Sequence, residues 1–301
     1  MKKDFLSVGD LNKKEIEHLF QVTKELKRKP YSTALKNKTI VLLFEKASTR
    51  TRLSFEAGIG HLAGKAIYVD ASTSQLARGE TVEDTARVME RFVDGIVARV
   101  YKHEMLVGLA RNSDIPVINA LSDLEHPCQA LADIFTVLEK AGTLKRQKVA
   151  FIGDGNNVCN SLMLCCAILG VEFAAATPLG YRPNAEILAR AKKLAGEKIQ
   201  IYDDPTKAVN NASFVYTDVF VSMGNEAEKA ERLKTFVPKY QVTSELMGKA
   251  RKGALFMHCL PAHRGQEVAA DVIDGRSSIV FDQAENRMHT QNALLKMLYS
   301  R

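Results

Sequence analysis

Short apolar runs rich in β-branched residues alternate with helical patterns along this whole chain, at residues 39–44, 66–69, 95–99, 117–119, 148–152, 173–176, 199–202, 214–217, 254–257 and 278–280. Strands separated by helices pair in parallel, because only a long crossover returns the chain to the same end of a sheet. The pattern therefore predicts α/β domains, each a parallel β-sheet flanked by helices. A length of 301 residues allows two such domains. The polar stretch 141–147 follows a helical pattern over 127–140 and precedes a fresh strand. It places the boundary between a first domain, 1–140, and a second, 141–285. Residues 286–300 read as one more helix.

The loop after the first run carries the chemistry. Phe44-Glu45-Lys46-Ala47-Ser48-Thr49-Arg50-Thr51-Arg52 takes the chain from a buried strand into a helical pattern that reaches Leu62 from about Thr51. A helix N-terminus offers free backbone N–H groups and the positive end of its dipole. Ser48, Thr49 and Thr51 add hydroxyls, and Arg50 a planar fork matched to phosphate oxygens. A Ser/Thr cap with two surface arginines is the plainer alternative. Two arginines interleaved directly after a strand favour the anion site. Gly-Lys-Ser/Thr is missing, so this is not a nucleotide P-loop.

A second segment, Phe256-Met257-His258-Cys259-Leu260-Pro261-Ala262-His263-Arg264-Gly265, likewise ends a strand in a polar loop, here with a thiol, two histidines and an arginine. Ser-Thr-Arg-Thr-Arg near position 50 and His-Cys-Leu-Pro near position 260 together resemble the signature pair of the ornithine carbamoyltransferases, within the aspartate/ornithine carbamoyltransferase superfamily. His126-Pro127-Cys128-Gln129, Asp218-Val219-Phe220-Val221-Ser222-Met223-Gly224 and Glu285-Asn286-Arg287 agree in order and spacing. Phe220 departs from a usual Trp but keeps an aromatic face.

The resemblance implies transfer of the carbamoyl group from carbamoyl phosphate to the side-chain amine of L-ornithine, giving L-citrulline and phosphate, a step of arginine biosynthesis or urea-cycle type. It makes residues 1–140 the carbamoyl phosphate-binding domain, with helix 286–301 packing back on it, and 141–285 the ornithine-binding domain. The phosphate falls to Ser48, Thr49, Arg50, Thr51 and Arg99, which ends the 95–99 run. His126 and Gln129 take the carbamoyl oxygen and nitrogen, with Cys259, Leu260 and Arg287 as further contacts, while Arg52 braces the loop. Gln75, which otherwise reads as part of a surface loop, would reach into a neighbouring subunit's site, so that a homotrimer, or a multiple of one, shares its active sites. Ornithine falls to Asn157, Asp218, Ser222 and Met223. Asp218 pairs with the α-ammonium, and Asp218 with Cys259 helps to deprotonate the side-chain amine, which is unreactive while protonated. Arg99 and His126 complete the catalytic set. Neither a metal nor a cofactor is implied. Cys259 also has a plainer reading as an inert buried thiol, and His126-Pro127 one as an ordinary helix start.

Composition narrows the field. With 46% hydrophobic and 26% charged residues the chain is of average soluble type. No apolar stretch approaches the ~20 residues that cross a bilayer, and Met1-Lys2-Lys3-Asp4-Phe5 lacks a secretory signal's core, so the expected location is the cytoplasm. Five cysteines with no Cys-x-x-Cys fit neither a disulfide framework nor a zinc ribbon, and four read as packing residues. The net charge of +7 is spread over helices such as 24–29, and Trp is absent; a solvated basic face is expected, with no nucleic-acid or membrane partner.

Rival readings are few. Lys148–Val158 resembles a dinucleotide-binding turn, but Val158 replaces the third glycine and no acid ends the following strand. A non-enzymatic amino-acid sensor would not need Arg50, Arg99, His126, Cys259 and Arg287 together. Putrescine and N-acetylornithine remain as alternative acceptors, whereas aspartate would need basic residues for a second carboxylate.

Overall fold

In the computed structural model, which describes residues 3–221 and 226–300, the first apolar run forms strand β1 (Thr39–Phe44), buried beyond its first residue. Burial on both faces accounts for its unbroken apolar character. Strands β2 (Lys65–Asp70), β3 (Gly95–Arg99) and β4 (Val117–Leu121) complete a parallel sheet of order β2-β1-β3-β4. Helices α1 (Lys13–Arg28), α2 (Thr49–His61), α3 (Val82–Phe92) and α4 (His103–Arg111) connect and cover it. Asn12 and Glu15 form a reciprocal capping box that starts α1. The core of this sheet gathers Val41, Leu43, Ile96, Ala98, Leu106 and Val117. Its β4 edge is covered by the N-terminal segment, where Phe5 bonds through its N–H to Val117 and through its carbonyl to Asn119.

Helix α5 (Pro127–Ala141) leads to a second parallel sheet of β5 (Lys148–Ile152), β6 (Glu172–Ala176), β7 (Ile199–Tyr202), β8 (Phe214–Thr217) and β9 (Leu255–His258), in the order β7-β6-β5-β8-β9. Its helices are α6 (Asn157–Leu169), α7 (Ala185–Ala195), α8 (Pro205–Val209), α9 (Lys229–Phe236), α10 (Ser244–Gly248) and α11 (Ala270–Ile273). Almost every residue of α6 is buried, including Cys159, Cys165 and Cys166, which makes these thiols packing groups. Phe220 stacks on Phe236 with centroids 4.7 Å apart, so a phenyl ring fills this place in the core. Helix α12 (Val280–Tyr299) ends the fold.

By density of contacts the chain divides into Met1–Ala132 with Glu285–Arg301, and Asp133–Ala284. Both divisions fall inside helices, α5 and α12, while the polar stretch 141–147 is the loop from α5 to β5. In the first unit α12 lies so close that a Cβ on Gly58 would overlap the Asn292 side chain, and one on Gly95 the Tyr299 hydroxyl. Tyr299 also donates to the Asp94 carbonyl at 2.7 Å.

The expected strand at 278–280 does not form. Ser278 makes one isolated bridge to Phe256, and α12 begins at Val280, ahead of the expected Asn286. The β-branched pair Ile279-Val280 suits either state, and a run so short carries no period to separate them. Among the described residues no helix is long and apolar enough to cross a membrane.

Candidate active site

Ligands of open parallel sheets bind beyond the carboxyl ends of the strands, where successive connections leave in opposite directions. In the first unit that point lies between β1 and β3, whose ends pair Phe44 with Arg99. Helix α2 starts there at Thr49, ahead of the expected Thr51, and Ser48 caps it by accepting from Thr51 N–H at 3.2 Å. Ser48, Thr49, Arg50 and Thr51 thus form the cap and first turn of a helix at a strand end. The Arg50 side chain is exposed and makes no hydrogen bond or ion pair among the described residues. Arg52 turns away, pairing with Glu56 at 2.9 Å and lying 3.9 Å over the Tyr68 ring; it braces α2 against β2.

Arg99 closes β3 at a register shift against β4 and is 7% exposed. His126 follows β4, and its carbonyl accepts from the N–H groups of Gln129 and Ala130 at the start of α5. Pro127, the first helical residue, has no N–H to satisfy. Burial together with the Arg287 and Arg99 charges holds the His126 imidazole well below its ordinary pKa, so it is neutral at physiological pH. Arg287 donates through Nη1 to Gln129 Oε1 at 2.5 Å. Oriented by its neighbours, the Gln291 amide accepts from Arg287 Nε and Nη2 at 3.3 and 3.1 Å and donates to Ser54 at 2.9 Å. Arg99, His126, Gln129 and Arg287 are all buried, a costly concentration of polar groups. Gln75 stands apart in a short 3₁₀ turn, Gln75–Arg78, exposed and with no hydrogen bond to these groups.

In the second unit the reversal lies between β5 and β8, with β9 next to β8. Parallel pairing of Ile152 with Thr217 and of Thr217 with His258 aligns three strand ends, which deliver the Asn156-Asn157 turn, Asp218 and Cys259 to one place. Cys259 donates from Sγ to Asp218 Oδ1 at 3.1 Å, and Asn156 donates from Nδ2 to Asp218 Oδ2 at 2.8 Å. Burial and the adjoining Asp218 carboxylate raise the Cys259 thiol well above its ordinary range. It is therefore held as a protonated hydrogen-bond donor to Asp218. Asn157 is the first residue of α6. Ser222 and Met223 lie outside the described residues.

Sequence reasoning missed what holds this loop cluster in place. His258 Nδ1 accepts the Leu260 N–H at 2.8 Å, so the ring proton sits on Nε2 and points to Glu267 Oε1 at 3.3 Å. That bond fixes Leu260 at φ +59°, a left-handed conformation that few non-glycine residues adopt. The His258 N–H donates in turn to Gln283 Oε1 at 3.0 Å, and Gln283 to Asp133 at 2.7 Å. Asp218, His258 and Cys259 offer ligand atoms within 4.8 Å of one another, yet both His258 nitrogens are already engaged, which leaves too few donors for a cation. Arg232 was also missed. Buried on α9, it donates from Nε to the Phe220 carbonyl at 2.6 Å and pairs through Nη2 with Asp154. No periodicity connects such distant residues. Asn156 alone left a signal, as an Asx residue where a strand turns into a helix.

Comparison with known proteins agrees with both halves. The carbamoyl-P binding domain of the aspartate/ornithine carbamoyltransferases matches residues 3–139, and their Asp/Orn binding domain residues 145–298. The chain is 51% identical over 302 residues to the ornithine carbamoyltransferase of Methanocorpusculum labreanum, covering 99% of this chain and 98% of that one. It is also 51% identical over 303 residues to that of Carboxydothermus hydrogenoformans, covering 98% and 97%. The solved ornithine carbamoyltransferase of Pyrococcus furiosus superposes with a TM-score of 0.93 at 48% identity, over 97% of this chain and 96% of that chain.

Proposed function

The chain belongs to the aspartate/ornithine carbamoyltransferase family, and we infer from that premise that it is an enzyme moving the carbamoyl group of carbamoyl phosphate to the side-chain amine of L-ornithine. The products are L-citrulline and phosphate. Its likeness to ornithine carbamoyltransferases over essentially the whole length is the observation that carries this reading.

The roles of individual residues are our proposal. Arg50 and Arg99, with the hydroxyls and N–H groups of Ser48, Thr49 and Thr51, neutralise the phosphate dianion. His126, kept neutral, donates a hydrogen bond to the carbamoyl oxygen and draws electron density from the carbon without giving up its proton. Gln129, held by Arg287, orients the carbamoyl group. Cys259 and Leu260 are assigned to the same group on the resemblance alone. Asp218 pairs with the ammonium of ornithine, and Cys259 steadies that carboxylate as a donor. Asn157, Ser222 and Met223 take the remaining polar groups of the amino acid. The reacting amine must first lose a proton to solvent to expose its lone pair. A C–N bond then forms at the carbonyl carbon, the C–O bond to phosphate breaks, and the proton released from nitrogen leaves with the phosphate.

Carbamoyl phosphate offered with ornithine, putrescine, N-acetylornithine and aspartate in separate reactions tests the reading. Citrulline from ornithine, with little product from the others, is the expected result. Turnover of another amine in preference would overturn the roles given to Asp218 and its neighbours, and absence of any ureido product would favour a sensor.

We also propose a homotrimer, or a multiple of one, in which Gln75 completes a neighbour's carbamoyl phosphate site. The Gln75 side chain is exposed and without a hydrogen-bond partner among the described residues, and Leu53 and Ile67 are apolar side chains exposed on α2 and edge strand β2. Mixing inactive Gln75→Ala and Arg50→Ala chains under exchange conditions is expected to restore part of the activity. Mixed oligomers that stay as inactive as the parents would rule out shared sites.

A further inference from the structure

Asn156 joins the start of α6 to the acidic group of the amino-acid site. Its Oδ1 accepts from two backbone N–H groups, those of Val158 at 3.0 Å and Cys159 at 3.1 Å. Backbone amides only donate there, so the side-chain orientation is fixed and the NH₂ end must face the other way. There it meets Asp218 Oδ2 at 2.8 Å. Asp218 Oδ1 receives the Cys259 thiol at 3.1 Å. Among the described residues each carboxylate oxygen thus has a donor of its own, Asn156 on one and Cys259 on the other, and Asn156 is clamped to the rigid first turn of a thirteen-residue helix.

We propose that Asn156 is a positioning residue for ornithine: it sets the rotation and the reach of the Asp218 carboxylate, and so the place at which the substrate's ammonium is received. The inference rests on Asp218 being the ornithine ligand. Asn is suited to the task because one short side chain must present an acceptor to the helix and a donor to the carboxylate. Serine supplies the cap without the reach. Aspartate supplies the cap but turns an acceptor, and a second negative charge, toward Asp218.

That difference separates positioning from mere capping. Ser, Asp and Asn serve nearly equally as helix N-caps, so Asn156→Ser and Asn156→Asp are expected to melt within a few degrees of the wild type. Both should bind carbamoyl phosphate, measured by calorimetry, within about twofold of the wild-type Kd. Their kcat/KM for ornithine should fall by about 10- to 100-fold, the size of effect that a misplacement of about an ångström produces, with Asn156→Asp the poorer of the two. Asp218→Asn is measured beside them. If Asp218→Asn loses ornithine turnover while both Asn156 variants keep wild-type kcat/KM, the positioning role is wrong and the ornithine site stands. If Asp218→Asn itself uses ornithine normally, the site assignment fails first. A large loss of melting temperature in both Asn156 variants, with carbamoyl phosphate binding lost as well, would make Asn156 a residue of the fold and would overturn the inference.

Discussion

Replacing Arg99 by methionine is expected to lower kcat/KM for carbamoyl phosphate by about 30- to several thousand-fold. Methionine keeps most of the volume at the buried end of β3 and removes the charge. Truncating one partner of a buried, hydrogen-bonded charge pair costs about 2–5 kcal/mol, and each 1.4 kcal/mol is about a factor of ten. The effect also reaches His126. Its imidazole is held well below the ordinary range first by burial, then by Arg287 and Arg99. Removing the Arg99 charge takes away one of those influences, so the histidine's pKa rises toward its ordinary value. The fraction of imidazolium at a given acidic pH then increases, and the acid limb of the pH–rate profile moves to higher pH than in the wild type. The comparison is Arg52→Met, which loses only an exposed pair with Glu56 and a stack on Tyr68. A surface pair is worth about 0–1 kcal/mol, and this variant should stay within about fivefold of wild-type kcat/KM. Equal effects at the two arginines would dissolve the distinction between a substrate ligand and a brace.

The second large effect is on stability. Arg232→Ala leaves Asp154 buried with no cation among the described residues, and stranding one member of a buried ion pair typically costs about 3–5 kcal/mol. Even with Arg232 present, burial outweighs the arginine and pushes the Asp154 carboxyl up to about 6 from its ordinary 3.8. Between those two values the native state holds a proton that the unfolded chain has released, so protonation favours the native state as pH falls through 6. Without Arg232 the native pKa rises further and that window widens upward. The deficit of the variant should be greatest at pH 8 and shrink toward pH 5, where Asp154 becomes neutral and no longer demands a partner. Melting curves of both proteins across that range check it, and a deficit independent of pH would show that lost packing against Tyr181 and Phe236 dominates instead. Arg232 also holds the Phe220 carbonyl, two residues after Asp218, so ornithine turnover should suffer at every pH.

What the chain disclosed in advance was whatever lies at the end of a strand. Arg50, Arg99, His126, Asn157, Asp218 and Cys259 each follow or close an apolar run, and a parallel sheet brings such ends together without further instruction. The strands themselves were legible because burial on both faces demands unbroken apolar residues. The partners of those residues were not. Arg232 meets Asp154 across a long loop of sequence, Gln283 joins His258 to Asp133, and Asn156 divides its amide between a helix and a carboxylate; none of these repeats with a period or occupies a marked position. The state of Cys259 was equally hidden, since only its burial beside Asp218 decides that the thiol keeps its proton. At 278–280 two β-branched residues favoured a strand, and the long helix behind them prevailed.

The close fit of α12 against Gly58 and Gly95 has a consequence for the order in which the protein is made. The first unit needs residues from Glu285 onward, yet about 150 residues of the other unit are translated in between. At about 5–20 residues per second that interval lasts roughly 8–30 s. Throughout it the first sheet leaves the ribosome without the helix that packs on it, with Gly58 and Gly95 uncovered by Asn292 and Tyr299. The stretch of polypeptide synthesised first is thus among the last to be completed.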